Sequence, residues 1–128
     1  MRSFQLNKLV RDGVYENMIR LGQKPTPHRL SDDEILPALR QKMLEEDGEF
    51  DPTNPQLKEL ADKLEVVEAA ALEMGSDFDT VRRLQLERRA EMGGFAGRIY
   101  VGQLELPNDD PWVAYYAADP HRFTEIVE

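Results

Sequence analysis

The stretch Glu45-Glu46-Asp47-Gly48-Glu49-Phe50-Asp51-Pro52-Thr53-Asn54-Pro55-Gln56-Leu57-Lys58-Glu59-Leu60-Ala61-Asp62 decides the fold. It reads as the end of one helix, a compact turn and the start of another. Asp51-Pro52-Thr53-Asn54-Pro55 cannot continue a helix; Asn54 is placed to cap the next one, with Pro55 at its first position. A link of about five residues between helices forces them antiparallel and adjacent. The carboxylates ending the first helix, Glu45, Glu46 and Glu49, therefore face Glu59 and Asp62 at the start of the second.

Working outward, the upstream helix opens at Ser31-Asp32-Asp33-Glu34, a capping box, and is expected to run to about Phe50. Pro37 removes one of its hydrogen bonds, so the first turn bends or the helix begins later than the box. The downstream helix is expected to reach Met74 and stop at Gly75. A further helix starts at Ser76-Asp77-Phe78-Asp79 and carries Arg82, Arg83, Arg88 and Arg89, read as a solvated face, to Gly93-Gly94. Before all of these, Asp12 to Leu21 forms a short helix closed by Gly22. From Ile99 to Leu106 the β-formers and alternation predict a small hairpin. The tail, with Trp112, Tyr115 and Tyr116, ends in a short helix begun by Asp119-Pro120. The fold class is all-α: a helical bundle with a minor β hairpin near the C-terminus, in one domain spanning residues 1–128.

Composition narrows function. Sixteen Lys plus Arg against 25 Asp plus Glu give a net charge of −9, which argues against duplex nucleic acid as a partner. With 41% apolar and 32% charged residues the chain is globular in composition. No membrane span is expected: the longest apolar stretch, Val66 to Met74, is broken by Glu68 and Glu73, against the ~20 residues a bilayer requires. Met1-Arg2-Ser3-Phe4-Gln5 has no apolar signal region, and a cytoplasmic protein is the expectation. The absence of cysteine excludes disulfides, thiolate metal sites and cysteine nucleophiles.

On a wheel of 100° per residue, Ile35, Leu39, Met43 and Phe50 form the apolar stripe of the second helix. Glu46 falls inside it. In the third helix Leu57, Leu60, Ala61, Leu64, Val67 and Ala71 define the main core face, while Glu59 and Asp62 share the opposite side with Val66, Ala69 and Ala70. Burying an unpaired carboxylate costs several kcal/mol. The acidic end therefore either opens into a solvated cleft or is neutralised by a cation, and hard oxygen donors in this number suit Mg²⁺ or Mn²⁺. The competing reading is an ordinary acidic surface paired to Lys42, Lys58 and Lys63. Gly48 weakens its helix by roughly 1 kcal/mol relative to Ala, which makes sense if a ligand or backbone comes close there.

Glu45-Glu46-Asp47-Gly48-Glu49 resembles the EExxE motif, and Glu59-Leu60-Ala61-Asp62 the ExxD motif, of the MazG-like nucleoside triphosphate pyrophosphohydrolases and the related phosphoribosyl-ATP pyrophosphohydrolases. Lys8-Leu9-Val10-Arg11-Asp12 resembles the KLVRD opening of one subgroup, and Gly93-Gly94-Phe95 its GGF segment. The likeness covers about residues 7 to 101. Two places depart from the pattern: Met92 stands where a basic residue precedes GGF, and Gly13-Val14-Tyr15 replaces Lys-Ile-Pro.

The resemblance implies Mg²⁺ held by Glu46, Glu49, Glu59 and Asp62, with Glu45 or Glu46 accepting a proton from the attacking water, and a nucleoside triphosphate as substrate. Lys8 and Arg11 are candidates to clamp phosphate, against the plainer reading of a bridge to Asp12 or Glu16; Arg98 is a further candidate. A homo-oligomer, dimer or tetramer, is expected from helix faces that one bundle would leave exposed. The alternatives are phosphoribosyl-ATP hydrolysis and a non-catalytic helical oligomerisation or regulatory module.

Overall fold

A computed structural model describes residues 1–127. Five helices follow one another: α1 (Asp12–Arg20), α2 (Asp32–Glu49), α3 (Leu57–Glu73), α4 (Phe78–Met92) and α5 (Trp112–Ala117). The described residues contain no strand, so the chain is all-α. None of their helices is long and apolar enough to cross a membrane. The chain divides into two compact units, one from Met1 to Met92 and one from Gly93 onward.

In the first unit, α2 begins at the expected capping box, the carboxylate of Glu34 accepting the Ser31 amide at 3.0 Å. That bond and the neighbouring His28 pull the Glu34 pKa down to about 2. The helix continues through Pro37 to Glu49. The turn is organised by Asp51 rather than Asn54: one Asp51 oxygen accepts both the amide (2.9 Å) and the hydroxyl (2.7 Å) of Thr53. Asn54 accepts instead from the Gln56 side chain at 3.3 Å, and α3 starts two residues later than the sequence predicts, with Gln56 at its N-cap. Lys63 closes the turn from α3, binding Asp47 at 2.9 Å and lying over the Phe50 ring at 5.1 Å. Gly75, at φ +76°, ends α3 in the left-handed conformation that spares glycine a steric cost. Asp77 then accepts the Thr80 amide at 2.8 Å and starts α4.

α2 packs along α3, and the beginning of α4 packs on α3. The buried faces differ from those predicted. On α2 the covered side runs through Ile35, Ala38, Leu39, Lys42, Glu45 and Glu46, about one residue round from the Ile35–Met43 stripe. On α3, Val66 and Ala71 are buried and Glu59, Asp62, Ala69 and Ala70 are half-buried. Leu57, Leu60 and Leu64, assigned to the main core face, are 85%, 44% and 51% exposed. Small side chains let two helix backbones approach closely, so α3 meets α2 through its alanine and valine side. The leucines are left outward. The arginines of α4 are exposed, as expected, with Arg83 bound to Glu87 at 3.0 Å.

Two corrections belong to the second unit. Ile99–Leu106 forms no hairpin: it has no facing strand among the described residues, and Tyr100 is 93% exposed. Two strands alone are marginal in water, so β-forming residues without a third partner stay irregular. The terminal helix forms at Trp112–Ala117 rather than at Asp119-Pro120, because Asp110-Pro111 carries the same start signal and the Asp110 side chain accepts the Trp112 amide at 2.8 Å. Asp119 closes a single turn on Arg122 and Phe123. Trp112, Tyr115, Tyr116 and Phe123 stack edge-on or tilted, with centroids 5.0–6.4 Å apart.

Candidate carboxylate site

The candidate carboxylates are Glu46 and Glu49 of α2 and Glu59 and Asp62 of α3. Glu46 is buried, 7% exposed, at the position the wheel placed inside the apolar stripe. Its pKa is raised above the ordinary carboxylate value, first by burial, then by the carboxylate of Glu49, which can share its proton and repels its charge, and further by Asp62 of α3. Lys42 opposes that rise. Glu49 and Asp62 are thus close enough to act on the charge of Glu46.

Glu59 is half-buried, and its Oε2 is enclosed without a hydrogen-bond partner. A carboxylate oxygen removed from water and left unpaired costs about 1–3 kcal/mol or more. It is the kind of donor a cation would satisfy.

Much of the remaining negative charge is met by the protein's own cations. Lys42 Nζ lies 3.1 Å from Glu45 and 3.8 Å from Glu46, with only 16% of its side chain exposed. Arg11 Nη2 binds Asp62 Oδ1 at 2.9 Å. Carboxylates that repel one another turn to the nearest ammonium or guanidinium, and among the described residues no three His, Asp or Glu side chains stand ready-gathered to hold a metal ion. The hard oxygen donors of Glu46, Glu49, Glu59 and Asp62 suit Mg²⁺ or Mn²⁺ by chemistry, and the orphaned Glu59 oxygen fits the same demand.

Each remaining candidate has a definite place. Arg11 pairs with neither Asp12 nor Glu16 but with Asp62, 51 residues away; local sequence gives no sign of so distant a partner. Lys8 is exposed just before α1. Arg98 belongs to the second unit, where it follows the Gly93-Gly94-Phe95 segment with φ +53°. Of the lysines weighed as surface partners, Lys63 pairs with Asp47, whereas Lys42 lies on the covered side of α2. Sequence reading missed Lys42 in that role because it followed the Ile35–Met43 line. The alternation of Ala38, Lys42 and Glu45 at helical spacing was the available signal. A Cβ at Gly48 would meet nothing within 4 Å, so the space on that side of the glycine is open. His28 is exposed and lies 3.2 Å from Glu34.

No protein-family model, curated protein or solved structure matches the chain.

Proposed function

We propose that the protein is a Mg²⁺-dependent nucleoside triphosphate pyrophosphohydrolase of the MazG-like type, cleaving the anhydride between the α and β phosphorus atoms to give the monophosphate and pyrophosphate. The observation that carries this reading is the burial of Glu46 beside Glu49 and Asp62, on the two helices bearing EExxE and ExxD. Glu46, Glu49, Glu59 and Asp62 would hold the metal. Mg²⁺ or Mn²⁺, when bound, polarises phosphate oxygens and lowers the pKa of water.

The chain's own groups supply the rest. In the hydrolysis a water oxygen bonds to one phosphorus and the bridging oxygen leaves with the other. Glu45 or Glu46 takes the water proton; a carboxylate with a raised pKa is the better base near neutral pH. Lys8 and Arg11 bind phosphate oxygens, the arginine through its bidentate fork.

The outward Leu57, Leu60 and Leu64 of α3 lie at the spacing of a helix-packing seam, and this supports assembly as a homo-oligomer. A second reading, a non-catalytic helical module, draws support from the pairing of Glu45 and Asp62 with Lys42 and Arg11.

The test is pyrophosphate release across common and modified nucleoside triphosphates and phosphoribosyl-ATP, with and without Mg²⁺ or Mn²⁺. Metal-dependent release from a nucleoside triphosphate is the expected result. Release from phosphoribosyl-ATP alone would reassign the substrate. No release from any of them, with no thermal shift on adding Mg²⁺ and a nonhydrolysable triphosphate, would favour the non-catalytic module.

A further inference from the structure

α4 parts from α3 after its first turn. Phe78, Thr80 and Val81 are half-buried where the two helices pack, and every residue from Arg82 to Met92 is exposed. No Gly or Pro interrupts Phe78–Met92, so this helix does not bend back over its own α3. The projecting part carries Leu84 and Leu86, 47% and 45% exposed, among four arginines. Arg82 and Arg83 are engaged within the helix, with Gln85 at 2.7 Å and Glu87 at 3.0 Å. Arg88 and Arg89 have no ion pair among the described residues.

α3 offers the opposite charge on a matching surface. At 100° per residue its exposed arc runs through Leu57, Leu60, Leu64 and Leu72. Glu65 and Glu68 stand exposed in the same arc, also without an ion pair among the described residues. Lys58 lies at its edge, about two turns before Glu65 and too far along the helix to pair with it. Carboxylates set among leucines disfavour a purely apolar cover and suit a helix that presents leucine and cation together.

We propose that the outward leucine face of α3 is covered by the projecting α4 of a second copy of the chain, with Arg88 and Arg89 of one copy meeting Glu65 and Glu68 of the other. This inference rests on the homo-oligomer reading above and names the helix that fills the seam. A two-fold axis makes the contact twice, each copy giving its α3 face and its α4. Charge decides between this arrangement and α3 packed on α3. The latter would gather Glu65 and Glu68 twice over along one apolar seam, whereas α4 brings two free cations to them. The leucines of both helices supply the buried apolar surface, and the arginine–glutamate pairs select which helix lies there.

The experiment is sedimentation of the full chain and of two double variants, Arg88→Glu/Arg89→Glu and Glu65→Arg/Glu68→Arg, each alone and mixed one to one. Either variant alone sets like charges against each other, and its dissociation constant should rise by about 100-fold or more. In the mixture every reversed charge meets its opposite, so association should return to within about 10-fold of the wild type. Amide hydrogen exchange of the wild type gives a reading that needs no variant: residues 82–92 should exchange about 10-fold more slowly once the chain is associated. An Arg88→Glu/Arg89→Glu variant that associates like the wild type overturns the inference and leaves assembly through α3 in place. So does a mixture no more associated than its components, or exchange in residues 82–92 that ignores association. A wild type that stays monomeric removes the homo-oligomer reading and the inference with it.

Discussion

Lys42 lies 3.8 Å from Glu46, one turn along the same helix, with 16% of its side chain exposed. It also holds Glu45 at 3.1 Å, so a single ammonium offsets two carboxylates on the covered side of α2. Buried charge is tolerated there because the pair is made within one helix and needs no chain to be brought from elsewhere. Removing the ammonium leaves both acids without it, and Glu46 beside the charge of Glu49.

Lys42→Ala is therefore expected to destabilise the fold by about 1–3 kcal/mol at pH 7–8, the range for stranding a poorly solvated charge. The loss should shrink toward pH 5, because Lys42 lowers the Glu46 pKa and without it Glu46 takes up a proton more readily. Urea unfolding at the two pH values reads this directly; an equal loss at both would mean the charge pairing is not the cause.

Glu46→Gln preserves shape and removes the unfavourable charge. The metal-free protein should gain about 1 kcal/mol at neutral pH, seen as a melting temperature higher by a few degrees. Pyrophosphate release and the stabilisation given by Mg²⁺ should both disappear. Retained turnover with Mg²⁺ would take Glu46 out of the mechanism.

Stability should peak at weakly acidic pH. Glu46 has a folded pKa raised above 4.5, so its contribution is complete below that value and is lost as pH climbs through the folded pKa. Glu34, held at about 2 by the Ser31 amide and His28, acts oppositely: its contribution is present above 4.5 and is lost as pH falls toward 2. Asp51 and Asp77, lowered by Thr53 and Thr80, add to the acid limb. Thermal melts across pH 2–8 should show a maximum near about pH 5. Glu46→Gln should flatten the high-pH side and Glu34→Gln the low-pH side.

The α3 leucines give a prediction about assembly. Leu60 and Leu64 are 44% and 51% exposed, so Leu60→Glu and Leu64→Glu should fold normally as single chains. If this face joins copies of the chain, sedimentation should show the wild type as a dimer or tetramer and the variants as monomers. The concentration dependence of the wild-type melting temperature should vanish with them. A wild type that sediments as a monomer at high micromolar concentration would count against the seam.

Local chemistry was enough to place most elements. The Ser31/Glu34 box, the Asp51–Pro55 break, Gly22 and Gly75 and the Asp77 start are all signals a few residues long. They fix where helices begin and end because capping and left-handed turns are satisfied within one turn of chain. The wheel also found Glu46, since one carboxylate among Leu39 and Ile35 stands out against its own helix. The ends of the chain were less legible: Ile99–Leu106 has β-forming residues without a partner, and Asp110-Pro111 competes with Asp119-Pro120 for the same helix start.

Which face of a helix is covered depends on what lies opposite, and that information is not carried by the helix itself. Leu57, Leu60 and Leu64 satisfy every periodic criterion for a core, yet Val66 and the α3 alanines take the contact with α2 because they allow the closer approach. The pairing of Arg11 with Asp62 is likewise a product of three-dimensional proximity. Sequence set the helices, their caps and the acidic motifs through short-range hydrogen bonding and spacing. Tertiary structure chose the buried faces and the counter-ions, because burial and Coulomb attraction act on distance in space.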